Sequence, residues 1–102
     1  MGLKKKYAKG SAVCSVTFSL PADAAEGAGK VQLVGEFNGW DPLATPMKRA
    51  KNGAFSVTLD MANARDYRFR YLLDGVKWAN DPQADRYEWC DYAQCDNSVV
   101  TV

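Results

Sequence analysis

The sequence predicts an all-β protein, an antiparallel β-sandwich of about six to eight strands. Several short runs alternate apolar and polar residues, and turn-forming residues separate these runs at intervals of roughly 8 to 12 residues. No run sustains the period of about 3.6 residues that marks an amphipathic helix. The 102 residues have room for one such domain.

Two strands are predicted in the first part of the chain. AVCSVTFSL, residues 12–20, alternates as a half-buried strand does. KVQLVGEF, residues 30–37, alternates in the same way and runs into the turn EFNGWDP. The predicted inward positions of the two strands are Cys14, Val16, Phe18, Leu20, Val31, Leu33 and Gly35.

The turn EFNGWDP places a large apolar side chain where the backbone bends. Asn38 and Gly39 tolerate positive φ, and Pro42 fixes its own φ. Trp40 is therefore predicted on a loop. There it either folds back over the core or offers a flat surface to a partner.

Four more strands are predicted after this turn. Asn52-Gly53 precedes one strand as a hairpin signal, and Asp74-Gly75 separates DYRFRYLLDG from a short return strand at Val76–Trp78. NSVVTV is the last strand, and MANARD, residues 61–66, is interpreted as a hairpin loop. The predicted inward positions are Phe55, Val57, Leu59, Tyr67, Phe69, Tyr71 and Leu73.

Composition excludes several classes of function. Thirteen basic and twelve acidic residues leave a net charge of +1, which provides no global field for nucleic acid or a membrane. Lysines 4 to 6 are interpreted as part of a basic tail, residues 1–10, preceding a single domain, residues 11–102. No secretory h-region follows Met1, so a cytoplasmic location is expected.

The three cysteines fit a reducing compartment. Cys90 and Cys95 have a spacing compatible with a metal site, but the chain has no histidine. Zinc would therefore have at most three thiolates and a carboxylate. We favour the simpler interpretation, a buried Cys14 and two loop thiols, with no metal and no cofactor.

Trp40, Arg70, Trp78 and Asn97 form the candidate site. Both tryptophans adjoin turns, Arg70 lies on the polar face of its strand, and Asn97 opens the last strand. Two aromatic plates with a guanidinium and an amide between them suit a sugar, which has an apolar C–H face and a rim of hydroxyl groups. Taken singly, each tryptophan also fits the core, Arg70 a solvated surface, and Asn97 a bond to its own backbone.

The chain also resembles a known family. VQLVGEFNGWDP, Met47, Gly53-Ala54-Phe55, YRFRYLLDGVKWANDP and NSVVTV are together similar to carbohydrate-binding module family 48. That family includes the N-terminal domain of isoamylase and branching enzymes of glycoside hydrolase family 13, and the glycogen-binding domain of the AMP-activated protein kinase β subunit. The resemblance runs from Val31 to Val102.

The resemblance implies an immunoglobulin-like, early-set β-sandwich that binds α-1,4-linked glucans such as glycogen and maltooligosaccharides without catalysis. By position, Trp40 and Trp78 match the family's stacking tryptophans, Arg70 its basic residue and Asn97 its asparagine. Three further aromatic residues either add stacking surface or cover the open end of the sandwich. They are Tyr87, Trp89 and Tyr92.

Two other classes of function remain open. The same apolar plates could dock a protein, such as a separately encoded glycogen-metabolising enzyme of glycoside hydrolase family 13. An enzyme is the weaker alternative, because glycoside hydrolysis needs two carboxylates at a defined separation in a cleft. The crowded acids that could supply such a pair are Asp81, Asp85, Glu88 and Asp91.

Overall fold

The computed structural model describes residues 3–7, 10, 12–91 and 95–102, which fold into two antiparallel sheets. In chain order the strands are β1 (Lys4–Tyr7), β2 (Val13–Leu20), β3 (Val31–Gly35), β4 (Lys48–Arg49), β5 (Phe55–Ala62), β6 (Asp66–Leu73), β7 (Lys77–Ala79), β8 (Arg86–Cys90) and β9 (Cys95–Thr101). Sheet A has the order β1-β2-β5-β4. Sheet B has the order β3-β6-β9-β8, and β7 also pairs with β6.

The core lies between the two sheets, and the structure confirms most of the inward positions predicted from the alternation. Every predicted inward residue of β2 is fully buried, and so are Phe69 and Tyr71 of β6. The Phe18 ring meets the Phe69 ring edge-on at 5.1 Å between centroids. Val57 and Leu59 of β5 are only partly buried, although they pack against this cluster.

The predicted hairpin turns are present. The turn between β4 and β5 closes with a hydrogen bond from the Gly53 amide to the Ala50 carbonyl, 3.0 Å long. Asp74 and Gly75 both have positive φ, 51° and 73°, as a tight turn with Asp-Gly requires. The MANARD segment is strand at both ends, with a short loop between.

The structure adds three strands to those predicted. Lys4–Tyr7, expected within a basic tail, pairs in antiparallel register with β2 and forms the edge of sheet A. Lys4 and Lys6 are exposed, and Lys5 is ion-paired with Asp85. Charged side chains on an edge strand disfavour pairing with other chains. The other two added strands are β4, which has only two residues, and β8. The described residues thus form nine strands, beyond the expected range of about six to eight.

Cys90 and Cys95 were predicted on a loop, and this is wrong. Cys90 ends β8 and Cys95 begins β9, where the two are register partners. The third cysteine, Cys14, is buried on β2 as predicted. The described residues include no helix long and apolar enough to cross a membrane.

Candidate functional site

The outer face of sheet B, the face turned away from the core, carries the candidate site. Arg70 of β6 points outward because its neighbours Phe69 and Tyr71 fill the core. Strand pairing sets Val34 on one side of Arg70, and Trp78 lies opposite Leu72, one outward position further along β6.

Trp40 is held outward by the turn that follows β3. Phe37, three residues earlier, points into the core with its ring 5.5 Å from that of Phe18. The Asn38 side chain fixes the turn, because its oxygen accepts from the Gly35 amide at 3.0 Å and its nitrogen donates to the Leu33 carbonyl at 2.9 Å. Trp40 itself has φ 60°, a left-handed conformation that costs a non-glycine residue about 1–2 kcal/mol.

Trp78 is held outward by a different device, the β6–β7 hairpin. It lies directly across from Leu72 in the antiparallel register. Trp78 keeps 46% of its surface exposed, and Trp40 keeps 37%. The indoles thus project from the turn after β3 and from strand β7, at the same face of sheet B.

Arg70 lies between the two indoles. Its guanidinium carbon is 5.8 Å from the centroid of the Trp40 ring and 5.3 Å from that of the Trp78 ring. Both distances are within the range of a cation–π contact. We call Trp40, Arg70 and Trp78 the indole platform.

Asn97 positions Arg70 in the platform. Its side-chain oxygen accepts a hydrogen bond of 2.8 Å from Arg70 Nε, and Arg70 Nη1 donates to the sulfur of Cys95 at 3.2 Å. Only 6% of the Asn97 surface is exposed. Asn97 therefore acts on the platform mainly through Arg70, while its direct contact with a ligand stays a prediction.

The platform rests on a small apolar layer of its own. Val34, Leu72 and Val99 lie on the outer face of sheet B, yet they are buried and do not belong to the core cluster. Side chains of the outer face must therefore cover them.

A chain of exposed ion pairs runs beside the platform on the same face. Arg68 contacts Glu36 at 3.3 Å and Glu88 at 2.7 Å, and Arg86 contacts both Glu88 and Asp66. The hydrogen bond from Arg68, followed by that from Arg86, lowers the pKa of Glu88. A hydrogen bond with Thr101 and a second with Arg86 lower the pKa of Asp66.

We expect these carboxylates to make the free energy of unfolding decrease at acidic pH. Because the pKa of Glu88 is lower in the folded chain, its contribution is present above the ordinary value of 4.5 and is lost as the pH falls further. Glu88→Gln should lose less stability than the native chain between pH 6 and 3, as measured by urea unfolding. Equal pH dependence in the two chains would contradict this.

A buried polar network, which the sequence did not reveal, supports the loop after β7. Asp81 is fully buried, and its carboxylate accepts from Tyr71 Oη and from the Gln83 amide, both at 2.8 Å. The Asp81 amide donates to Ser98 Oγ at 2.9 Å. Burial raises the pKa of Asp81, and burial beside Asp81 raises that of Tyr71. The network anchors β7, and with it Trp78, to β6 and β9.

Tyr87 and Trp89, the two additional aromatic residues that the structure describes, lie away from the platform. Tyr87 and Trp89 point to the opposite face of sheet B, because Tyr87 pairs with Ser98, which in turn pairs with the core residue Phe69. The Tyr87 hydroxyl donates to the Asp81 carbonyl. Trp89 is 60% exposed on that other face. Tyr92 lies outside the described residues.

Each of the four crowded acids has a hydrogen-bond or ion-pair partner of its own. Asp85 is paired with Lys5 at 2.6 Å, Glu88 with Arg68, and Asp81 with Tyr71. Asp91 accepts from the Trp89 indole at 2.6 Å. Within the described ranges, no three histidine, cysteine or acidic residues are grouped to hold a metal ion. A cavity of about 520 Å³ opens elsewhere, and none of its lining residues belongs to the platform.

Comparison with known families decides the assignment. Residues 6–88 match the profile of the family Carbohydrate-binding module 48 (Isoamylase N-terminal domain). The chain belongs to carbohydrate-binding module family 48. Members of this family bind carbohydrate and are not catalytic.

The match to family 48 covers most of the chain, including the whole indole platform. It ends at Glu88, before Asn97 and the last strand. The immunoglobulin-like sandwich expected from the resemblance is confirmed by the two antiparallel sheets and by this match. A comparison with curated proteins finds no match for the chain.

Proposed function

We propose that the indole platform binds α-1,4-linked glucans such as glycogen, starch and maltooligosaccharides, and that the module has no catalytic role of its own. One observation carries the proposal: Arg70 lies against two exposed indoles and is held there by Asn97. Trp40 is also exposed in a strained backbone conformation. Strain of this kind is concentrated at functional sites.

The platform offers what a pyranose ring needs. The indole faces supply apolar area for the C–H face of the sugar, and the guanidinium supplies donors for its hydroxyl groups. Asn97 and Cys95 fix Arg70 beforehand, so little of its side-chain entropy remains to be lost on binding. An open surface also leaves room for a chain that continues in both directions.

Affinity electrophoresis in a gel that contains glycogen tests the proposal. The native chain should be retarded, and Trp40→Ala and Trp78→Ala should each be retarded much less. By analogy with aromatic pairs, each indole contributes about 0.5–1.5 kcal/mol, which corresponds to a weakening of about twofold to twelvefold.

Trp89→Ala is the matched control, because Trp89 is exposed but lies on the other face of sheet B. It should migrate as the native chain does. A native chain that runs unretarded, or a Trp89 variant that loses retardation while the two platform variants keep it, would contradict the proposal.

A docking module for a glycogen-metabolising enzyme is the second candidate. Leu43 and Val76 favour it, because they are highly exposed apolar side chains close in the chain to Trp40 and Trp78. A protein partner could use them together with the indoles. Titration with maltoheptaose separates the two candidates, since only a sugar site changes the tryptophan fluorescence.

A further inference from the structure

Cys90 and Cys95 face each other across the β8–β9 hairpin, beside the indole platform. They are direct register partners at the end of β8 and the start of β9. Both are free thiols and only partly buried, so a small reagent can reach them. The proposed function assigns no role to this pair.

The register brings the pair within reach of a disulfide bond. Residues directly opposite in an antiparallel pair have Cα atoms roughly 4.5–5.5 Å apart. Disulfides join residues whose Cα atoms are about 4.4–6.8 Å apart. Closing the bond therefore requires side-chain rotation and little movement of the backbone.

The state of this pair affects Arg70 directly. Cys95 lies two residues before Asn97 on the same face of β9, and its sulfur accepts a hydrogen bond of 3.2 Å from Arg70 Nη1. Asn97 holds the other side of the guanidinium group through Nε. A Cys95 sulfur that turns toward Cys90 leaves Arg70 with one of these two contacts.

We propose that Cys90 and Cys95 are a reversible redox pair, that a low-molecular-weight disulfide closes it, and that closure weakens glucan binding by releasing Arg70 from Cys95. One cysteine thiolate attacks the reagent disulfide, forms a mixed disulfide and expels one reagent thiolate. The other cysteine sulfur attacks the mixed disulfide and expels the second. The two cysteines lose two protons and two electrons, and the reagent is reduced to two thiols.

Cys14 takes no part in this exchange and serves as an internal reference. It is fully buried on β2, in the other sheet. After reaction with oxidised glutathione, the count of free thiols in the unfolded chain should fall from three to one. The intact mass should decrease by that of two hydrogen atoms.

In a Trp89→Phe chain, which lacks the indole next to Cys90, intrinsic tryptophan fluorescence reports on Arg70 without any glucan, because the guanidinium lies against both remaining indoles. This fluorescence should change when the Trp89→Phe chain is oxidised and recover with dithiothreitol. The double variant Cys90→Ser/Cys95→Ser should show no such change. A native chain that keeps three thiols, or that carries only mixed disulfides, would overturn the redox pair.

The effect on glucan rests on the proposed function. The Kd for maltoheptaose should rise about threefold to tenfold on oxidation of the native chain, which corresponds to the loss of one hydrogen bond. In the double variant the Kd should not respond to oxidant. An oxidised chain that binds as tightly as the reduced chain would refute the regulatory claim. If neither form binds, the proposed function fails, whereas the thiol count and the fluorescence still decide the redox pair.

Discussion

Gly35→Ala is expected to destabilise the protein by about 3 kcal/mol, the upper end of the usual cost of overpacking. A Cβ atom at Gly35 would lie 2.6 Å from the Arg68 carbonyl oxygen and 2.8 Å from atoms of Phe37 and Phe69. The Arg68 oxygen belongs to the backbone of β6, so it cannot move away without disturbing the pairing of β3 with β6.

Urea unfolding, followed by circular dichroism, measures this effect. Gly29→Ala is the matched control, since a Cβ there would meet only Asp74 Oδ1 at 3.7 Å, an ordinary contact. It should change the free energy of unfolding by less than about 0.5 kcal/mol. Equal stabilities of the two variants would show that the close packing at Gly35 is not a constraint on the fold.

The same substitution should also affect the site. The Gly35 carbonyl accepts a hydrogen bond of 2.8 Å from the Trp40 amide, and the Gly35 amide donates to Asn38. Gly35 is thus the point from which the turn that carries Trp40 starts. A chain that tolerates alanine there should still show weaker glucan binding.

Asp81→Leu is the second substitution with a large expected effect, a loss of about 3 kcal/mol. It removes the acceptor of both Tyr71 Oη and the Gln83 amide, and each buried donor without a partner costs about 1–3 kcal/mol. Asp81→Asn is the milder comparison, because its oxygen can still accept from the Gln83 amide and only the Tyr71 O–H donor loses its acceptor. The asparagine variant should lose less stability than the leucine variant.

The pH dependence of Asp81 has the opposite sign to that of Glu88. Burial raises the pKa of Asp81 above 3.8 in the folded chain, so its contribution is complete below that value and is lost as the pH rises through the raised pKa. Asp81→Asn should therefore gain stability relative to the native chain as the pH increases from 4 to 7. A constant difference between the two chains would contradict the raised pKa.

The sequence predicted most of the core because alternation in β2 and β6 is governed by burial on one face. β8 was missed because it lacks such a one-sided burial pattern. Its aromatic residues, Tyr87 and Trp89, lie at the sheet edge with much of their surface exposed, so its pattern does not indicate which face is inward. The strand at Lys4–Tyr7 was missed because edge strands tolerate charge.

The four candidate site residues do meet in the structure, and their residue types and positions beside turns were enough to select them. The local sequence does not reveal how they are held. Asn97 and Arg70 are 27 positions apart in the chain and meet only because their strands pair. Cys90 and Cys95 likewise become partners only when the register of β8 and β9 is fixed. The burial of Asp81 depends equally on distant partners, Tyr71 and Ser98.

Titration of the native chain with maltoheptaose, followed by the indole N–H signals in NMR spectra, tests the central claim most directly. The signals of Trp40 and Trp78 should shift in proportion to occupancy, and the signal of Trp89, on the opposite face, should stay in place. Shifts of Trp89 alone, or three unmoved indole signals at saturating sugar, would contradict a glucan site on the indole platform.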